Sequence, residues 1–271
     1  MEKIYLNIAG FILLFKIHYT DQRFHIEKFL DMLKNDYGGF IDNGKQRVDF
    51  TFHVHAMGRY IFKINKDKDS RDKNFYIRTF HINEKRRTLT MHNPPGSSDF
   101  EFVTSTVLDN FLIPQGKSFI IHGSGVRYKN KVYMFEGQSG AGKSTTAQML
   151  KGLCHIMADD SLIIRKINNK FYFFQNVLHD KNFNFKKEKD SYLVDKVFFI
   201  RKADKCMIEE IKNKNMILDK MLKQVFTYPG MINIQFPMIA EFVNNTDFYY
   251  LYIKKDERIF KDFFKKEILK I

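Results

Sequence analysis

Residues 137–144 read Gly-Gln-Ser-Gly-Ala-Gly-Lys-Ser, a spacing that suits the binding of a nucleoside triphosphate. Gly137, Gly140 and Gly142 let the backbone turn tightly enough for successive N–H groups to face phosphate oxygens. Lys143 is long enough to reach β- and γ-phosphates, and the Ser144 hydroxyl can ligate Mg²⁺. Gln138, Ser139, Ala141 and Thr145 complete the loop and the first turn of the helix behind it, whose positive end favours the same anion. A chance match to the fixed positions is expected in on the order of one chain in a hundred of this length.

Two further groups fall near the loop in the chain. Asp159-Asp160 closes the apolar segment His155–Ala158. A strand there is expected beside the loop strand, opening onto the same rim of a sheet. One carboxylate can then hold Mg²⁺ while the other accepts a proton. An acidic turn capping the next segment through Ser161 is the plainer alternative. His122-Gly123 ends an earlier strand, and a hairpin carries it back toward the loop. An imidazole there can orient or protonate groups near neutral pH, although a single histidine at a strand end is more often structural.

Elements that position these groups are legible around them. Val132–Phe135 reads as the strand entering the loop and Lys143–Leu153 as the helix leaving it. Val126–Tyr128 and Val132–Glu136 form a hairpin, as do Leu162–Lys166 and Phe171–Phe174 across Asn168-Asn169. Val194–Ile200 and Phe248–Ile253 are strands. Phe100–Leu112, Met216–Phe226 and a basic terminal segment Glu257–Ile271 have helical character. Ahead of them lie an extended apolar segment Ile4–Ile17, a helix His25–Lys34, and strands over Val48–Ile64, Phe75–Ile82 and Arg87–Met91. The break His92-Asn93-Pro94-Pro95-Gly96 separates a β-rich part, residues 1–98, from an α/β part with a mixed sheet, residues 99–271.

The order and spacing of His122-Gly123, Gly137–Ser144 and Ala158-Asp159-Asp160 resemble the catalytic domain of HPr kinase/phosphorylase. More widely, the chain is similar to the HPr-kinase-like proteins of bacteria, related in fold to phosphoenolpyruvate carboxykinase. The likeness runs from about Phe119 to Arg165, and the opening Tyr5-Leu6-Asn7-Ile8-Ala9-Gly10 is similar to the N-terminal part of those proteins. The resemblance implies a P-loop kinase core that uses ATP and Mg²⁺. Lys143 and Ser144 would bind phosphate and metal, Asp159 would be the general base, and Asp160 would support metal or geometry. His122 would stand against the reacting phosphate. It also implies a serine acceptor in a protein or peptide, HPr-like or otherwise. A small-molecule kinase and a non-catalytic ATP-binding regulator remain alternatives. The Arg-Gly segment of the phosphate-removing enzymes has no counterpart after Phe174, so phosphorylase activity is not implied. Lys181–Lys187 is either a substrate-facing loop or a solvated one.

Composition narrows the classes. A net charge of +14 on 271 residues invites anionic partners. The basic residues are spread along the whole chain, so nucleic acid is not expected as a partner. Cys154 and Cys206 are too few for a disulfide framework, which fits a reducing cytoplasm. The run Ile4–Phe15 lacks a cleavage site of small residues and reads as a buried strand, and no stretch has the length of a membrane span. Homo-oligomerisation stays open. His53-Val54-His55 puts two imidazoles on one strand face, without a third metal ligand nearby in the sequence. The aromatic runs Tyr172–Phe174 and Phe198-Phe199 read as core.

Overall fold

A computed structural model describes residues 1–18, 23–55, 79–92, 96–115, 117–178, 187–226 and 231–271. It is a mixed α/β structure with two sheets and, among the described residues, six α-helices. Two compact units divide at Phe102/Val103, inside a helix, whereas the sequence break had suggested 98/99. None of the described helices is long and apolar enough to cross a membrane.

The first unit contains β1 (Glu2–Ile8), β2 (Phe11–His18), α1 (Arg23–Asp36), β3 (Ile41–Asp42), β4 (Phe50–His55), β5 (Thr79–Asn83) and β6 (Thr88–His92). It ends in the first turns of α2 (Ser97–Val107). Its sheet runs β3-β1-β2-β4-β6-β5, with β2, β4 and β6 parallel. The extended segment expected over Ile4–Ile17 is a hairpin instead. Ala9 and Gly10 both take positive φ, 53° and 77°, and the Asn7 side chain accepts a hydrogen bond from Gly10 N at 3.0 Å. That primed turn matches the twist of the strands, and without an Asn-Gly or Asp-Gly pair the sequence hides it. Along β4, Phe50, Phe52 and Val54 are buried while Thr51, His53 and His55 are half-buried on the other face. Phe15 stacks on Phe52 at 4.4 Å between ring centres, and Phe29, Tyr37 and Phe100 close the same core. Residues 56–64 of the expected Val48–Ile64 strand lie outside the described residues.

The second unit starts in α2 and a π-helical turn, Leu108–Leu112. Next come β7 (Ser118–Ile121), β8 (Ser124–Tyr128), β9 (Lys131–Glu136), α3 (Lys143–Met149), β10 (His155–Ala158), β11 (Leu162–Ile167) and β12 (Lys170–Gln175). The chain continues through β13 (Tyr192–Lys202), β14 (Met207–Glu210), α4 (Lys214–Leu222), β15 (Val225–Phe226), α5 (Ile232–Asn245), β16 (Asp247–Ile253) and α6 (Glu257–Phe263). These strands form one ten-stranded sheet. At its centre β9, β13 and β16 are parallel, with β13 in the middle.

Period-two side chains send each of these strands into two cores. Val132, Met134, Val197, Phe199 and Phe248 meet α4 and α5, through Ile217, Met221, Ile239 and Phe242. On the opposite face Tyr133, Phe135, Phe198, Ile200 and Leu251 meet α3 and α6, through Ala147, Leu150, Phe260 and Phe264. Burial on both faces explains why these strands read as continuous apolar runs. The basic C-terminal segment is therefore a packing element. Its helix α6 passes into a π-helical turn, Phe264–Leu269, that buries Phe264 and Ile268.

Three elements depart from expectation. Helix α3 stops at Met149, where Leu150 and Leu153 take up turn hydrogen bonds and Gly152 adopts a φ of 87°. Helix α4 ends at Leu222, and Val225-Phe226 pairs with β7 as a short strand. Helix α5 was not foreseen, because it carries Pro237 in its interior and exposes Ile234 and Phe236, which blurs its periodicity.

The orientation of α5 is testable. Phe242 is fully buried, edge-on to Phe119, Phe171 and Phe248. Phe242→Ala should lower the unfolding free energy by about 3–5 kcal/mol in urea titration. Phe236→Ala, on the solvent face, should change it by less than about 0.5 kcal/mol. Equal costs would mean that the helix is rotated from the face described.

Candidate functional site

Parallel strands end in register, so loops leaving one side of the β9-β13-β16 triplet share a rim. Beyond β9 lies the loop at 137–142, the end of β13 brings Ile200 and Lys202, and the end of β16 brings Ile253 and Lys255. Residues 139–142 of the loop and these four side chains line one cleft of about 610 Å³. The same cleft is lined by His122, Asp159 and Asp160 and by every residue from Ser139 to Thr146. The groups singled out in the sequence thus meet, although they come from three separate stretches of chain.

The loop has the backbone its glycines predict. Gly137, Gly140 and Gly142 have φ of 149°, 79° and 106°, a region costly for other residues. A Cβ added to Gly137 would lie 2.9 Å from the Cβ of Ala141, so the cradle has no room for a side chain there. Lys143 is buried, and its Nζ donates to Gly137 O at 2.8 Å and Gln138 O at 3.4 Å. The amine therefore braces the loop from inside. Thr146 Oγ1 donates to Gly142 O at 2.7 Å and ties the helix start to the last loop glycine.

Asp159 and Asp160 differ sharply in surroundings. Asp159 is buried, and Ser124 Oγ donates to its Oδ1 at 2.7 Å. Asp160 is 55% exposed, with Oδ1 2.9 Å from His122 Nδ1. That nitrogen is also 3.0 Å from Asp160 O. Both neighbours are acceptors, so Nδ1 carries a proton, and in the neutral ring the lone pair sits on Nε2. The imidazole is held further by the edge of Phe226, 5.9 Å away, and by His122 N donating to Gln224 O. The strand ending in Asp159 lies where expected on the rim but not beside the loop strand. β10 pairs with β8, which separates it from β9.

The sequence reading missed Ser124, Glu136, Lys202 and Lys255. Glu136 closes β9 immediately before Gly137. It is fully buried, and neither carboxylate oxygen has a hydrogen-bond partner among the described residues. Burial drives its pKa well above the ordinary carboxylate value, and the Lys143 ammonium pulls the other way more weakly. Burial also lowers the pKa of Lys143, against the attraction of Glu136, Asp160 and Asp159. The carboxyl of Glu136 fills the space where a side chain on Gly123 would begin: an added Cβ would meet Oε1 and lie 2.9 Å from Cδ. A glutamate closing an apolar strand carries no spacing signal, and Ser124 is one hydroxyl among many. Residues 181–186 of the Lys-rich run lie outside the described residues. Lys187 is buried, with its Nζ donating to the carbonyls of Asn176 and Leu178.

The chemistry open to this arrangement follows from its donors. Loop amides and Lys143 suit an anion of the phosphate type. The Ser144 hydroxyl and the Asp159 and Asp160 carboxylates line the same cleft, an oxygen set of the kind hard divalent ions take. The residues present thus fit a triphosphate with Mg²⁺.

No family model matches the chain, and no curated protein matches its sequence. Among solved structures it is similar to the Hpr(Ser) kinase/phosphatase from Coxiella burnetii, with a TM-score of 0.35 and 8% identity. The alignment covers 56% of this chain and 97% of that one, a likeness too slight to carry an argument about fold type or function.

Proposed function

We propose that the chain is an ATP- and Mg²⁺-dependent kinase of the P-loop, HPr-kinase-like type. It moves the γ-phosphoryl group to a hydroxyl, that of a serine in a protein or peptide. The supporting observation is the convergence of residues 122, 139–145 and 159–160 on one cleft of about 610 Å³. Loop amides and Lys143 bind the phosphates, while Ser144 and Asp160 hold the metal, which supplies charge neutralisation when bound. Asp159 accepts the proton of the acceptor hydroxyl as its oxygen bonds to phosphorus and ADP leaves. Ser124 fixes the rotamer of that carboxylate, and His122 holds Asp160 in place. Lys202 and Lys255 add positive charge at the rim. Burial favours the neutral form of the Glu136 carboxyl, which weakens its pull on Lys143 and leaves the lysine available to phosphate.

Two substitutions test the roles. Lys143→Ala should lose ATP affinity and turnover together. Asp159→Asn should keep ATP binding but lose at least about a hundredfold in rate, the lower range for general base catalysis. Both are read with labelled ATP and a cell extract resolved by size. Undiminished phosphorylation by the Asn variant would remove Asp159 from that role, and label only in small molecules would replace the protein acceptor with a metabolite.

Glu136 gives a pH signature. A carboxyl whose pKa is higher folded than unfolded contributes its full stability below the ordinary value of 4.5 and loses it as pH rises toward the folded value. The urea midpoint of the wild type should therefore fall relative to that of Glu136→Gln as pH rises above about 4.5. A constant difference from there upward would mean that Glu136 titrates normally.

A further inference from the structure

The pair His53 and His55 gains a third member in the fold. Strands β2 and β4 run parallel with Lys16 opposite His53 and His18 opposite His55. Side chains paired in register share a face, so the three imidazoles stand together on the side of the sheet opposite Ile17 and Val54. Those two apolar residues are fully buried, which anchors both strands beneath the histidines. His18 Nε2 lies 3.2 Å from His53 Nδ1, and the rings of His18 and His55 are stacked 4.2 Å apart. One ring nitrogen from each residue falls within 4.8 Å of the other two. In the backbone register, His92 of β6 stands opposite His55.

We propose that His18, His53 and His55 form a binding site for a divalent transition-metal ion of the zinc type. Tetrahedral zinc with nitrogen bonds of about 2.0–2.1 Å sets two ligand atoms about 3.3 Å apart, close to the separation of His18 and His53. The His55 ring, now parallel to that of His18, must turn out of the stack to aim its nitrogen at the same ion. Imidazole donors select zinc, copper or nickel over magnesium or calcium, so the site differs in kind from the oxygen-lined cleft of the second unit. Three ligands leave one coordination position open.

Without metal, the 3.2 Å contact requires one of the two nitrogens to carry a proton; when the ion takes that nitrogen, the proton shifts to the other nitrogen of the same ring, which stays neutral. Lys16 is the opposing group, since its ammonium shares the face and repels a cation. Its flexible stem allows the charge to swing out to water. A bound ion would staple the carboxyl ends of β2 and β4, and its binding free energy would add to the stability of the first unit.

The test is a zinc titration of the full chain after chelator treatment, in millimolar Mg²⁺ to occupy oxygen sites. One zinc ion per chain is expected, with an unfolding temperature that rises with zinc concentration. Cobalt should give the intense visible bands of a tetrahedral site. Each of His18→Gln, His53→Gln and His55→Gln should weaken zinc at least about tenfold, the smaller loss found even for outer ligand partners. His122→Gln, in the cleft, should bind zinc as the wild type does. The proposal is overturned by a wild type that takes up no zinc at micromolar concentration. It is equally overturned by binding that survives the triple Gln variant or disappears with His122→Gln. Should the triple variant fail to fold, the wild-type cobalt spectrum decides, and absence of tetrahedral bands refutes the site.

Discussion

Burial of β13 between two parallel neighbours is the constraint on which the cleft depends. Its residues Val197–Ile200 send alternate side chains into two separate cores, so the strand can neither rotate nor slip without exposing one set. With β13 fixed, the carboxyl ends of β9 and β16 are fixed relative to it by the ladder. The loop, Lys202 and Lys255 then stand at set positions around one volume. Polar groups on the rim need little support of their own, because the apolar sheet beneath supplies it.

The first unit uses the same logic with a different outcome. Phe50, Phe52 and Val54 secure one face of β4, and the opposite face holds Thr51, His53 and His55 in a fixed row. In both units a buried strand preorganises donors, at its carboxyl end in the second unit and on its opposite face in the first. The difference lies in the donors: amides, hydroxyl and carboxylates in one case, imidazoles in the other.

Local chemistry was the legible part of the sequence. The glycine-rich loop at 137–142 could be read because its backbone demands glycine at fixed positions, and the Asn168-Asn169 hairpin because asparagine tolerates the positive φ of both residues, 48° and 62°. What depended on distant pairing was not legible. Nothing in the chain announces that β8 lies between β9 and β10, that Ser124 reaches Asp159, or that His18 meets His53 across 35 positions. Propensity misled in two places. The Ala9-Gly10 turn lacks its usual asparagine, and Pro237 sits inside a helix that packing sustains.

Gly123 and Glu136 together have a consequence for how this chain can vary. The glutamate occupies the volume that any side chain at position 123 would need, and it lies in a closed interior with no second place to go. Position 123 cannot gain a side chain alone: an alanine there is compatible only with a shorter residue at 136. Among descendants of this sequence a side chain at 123 should therefore appear only together with, or after, a shortening at 136.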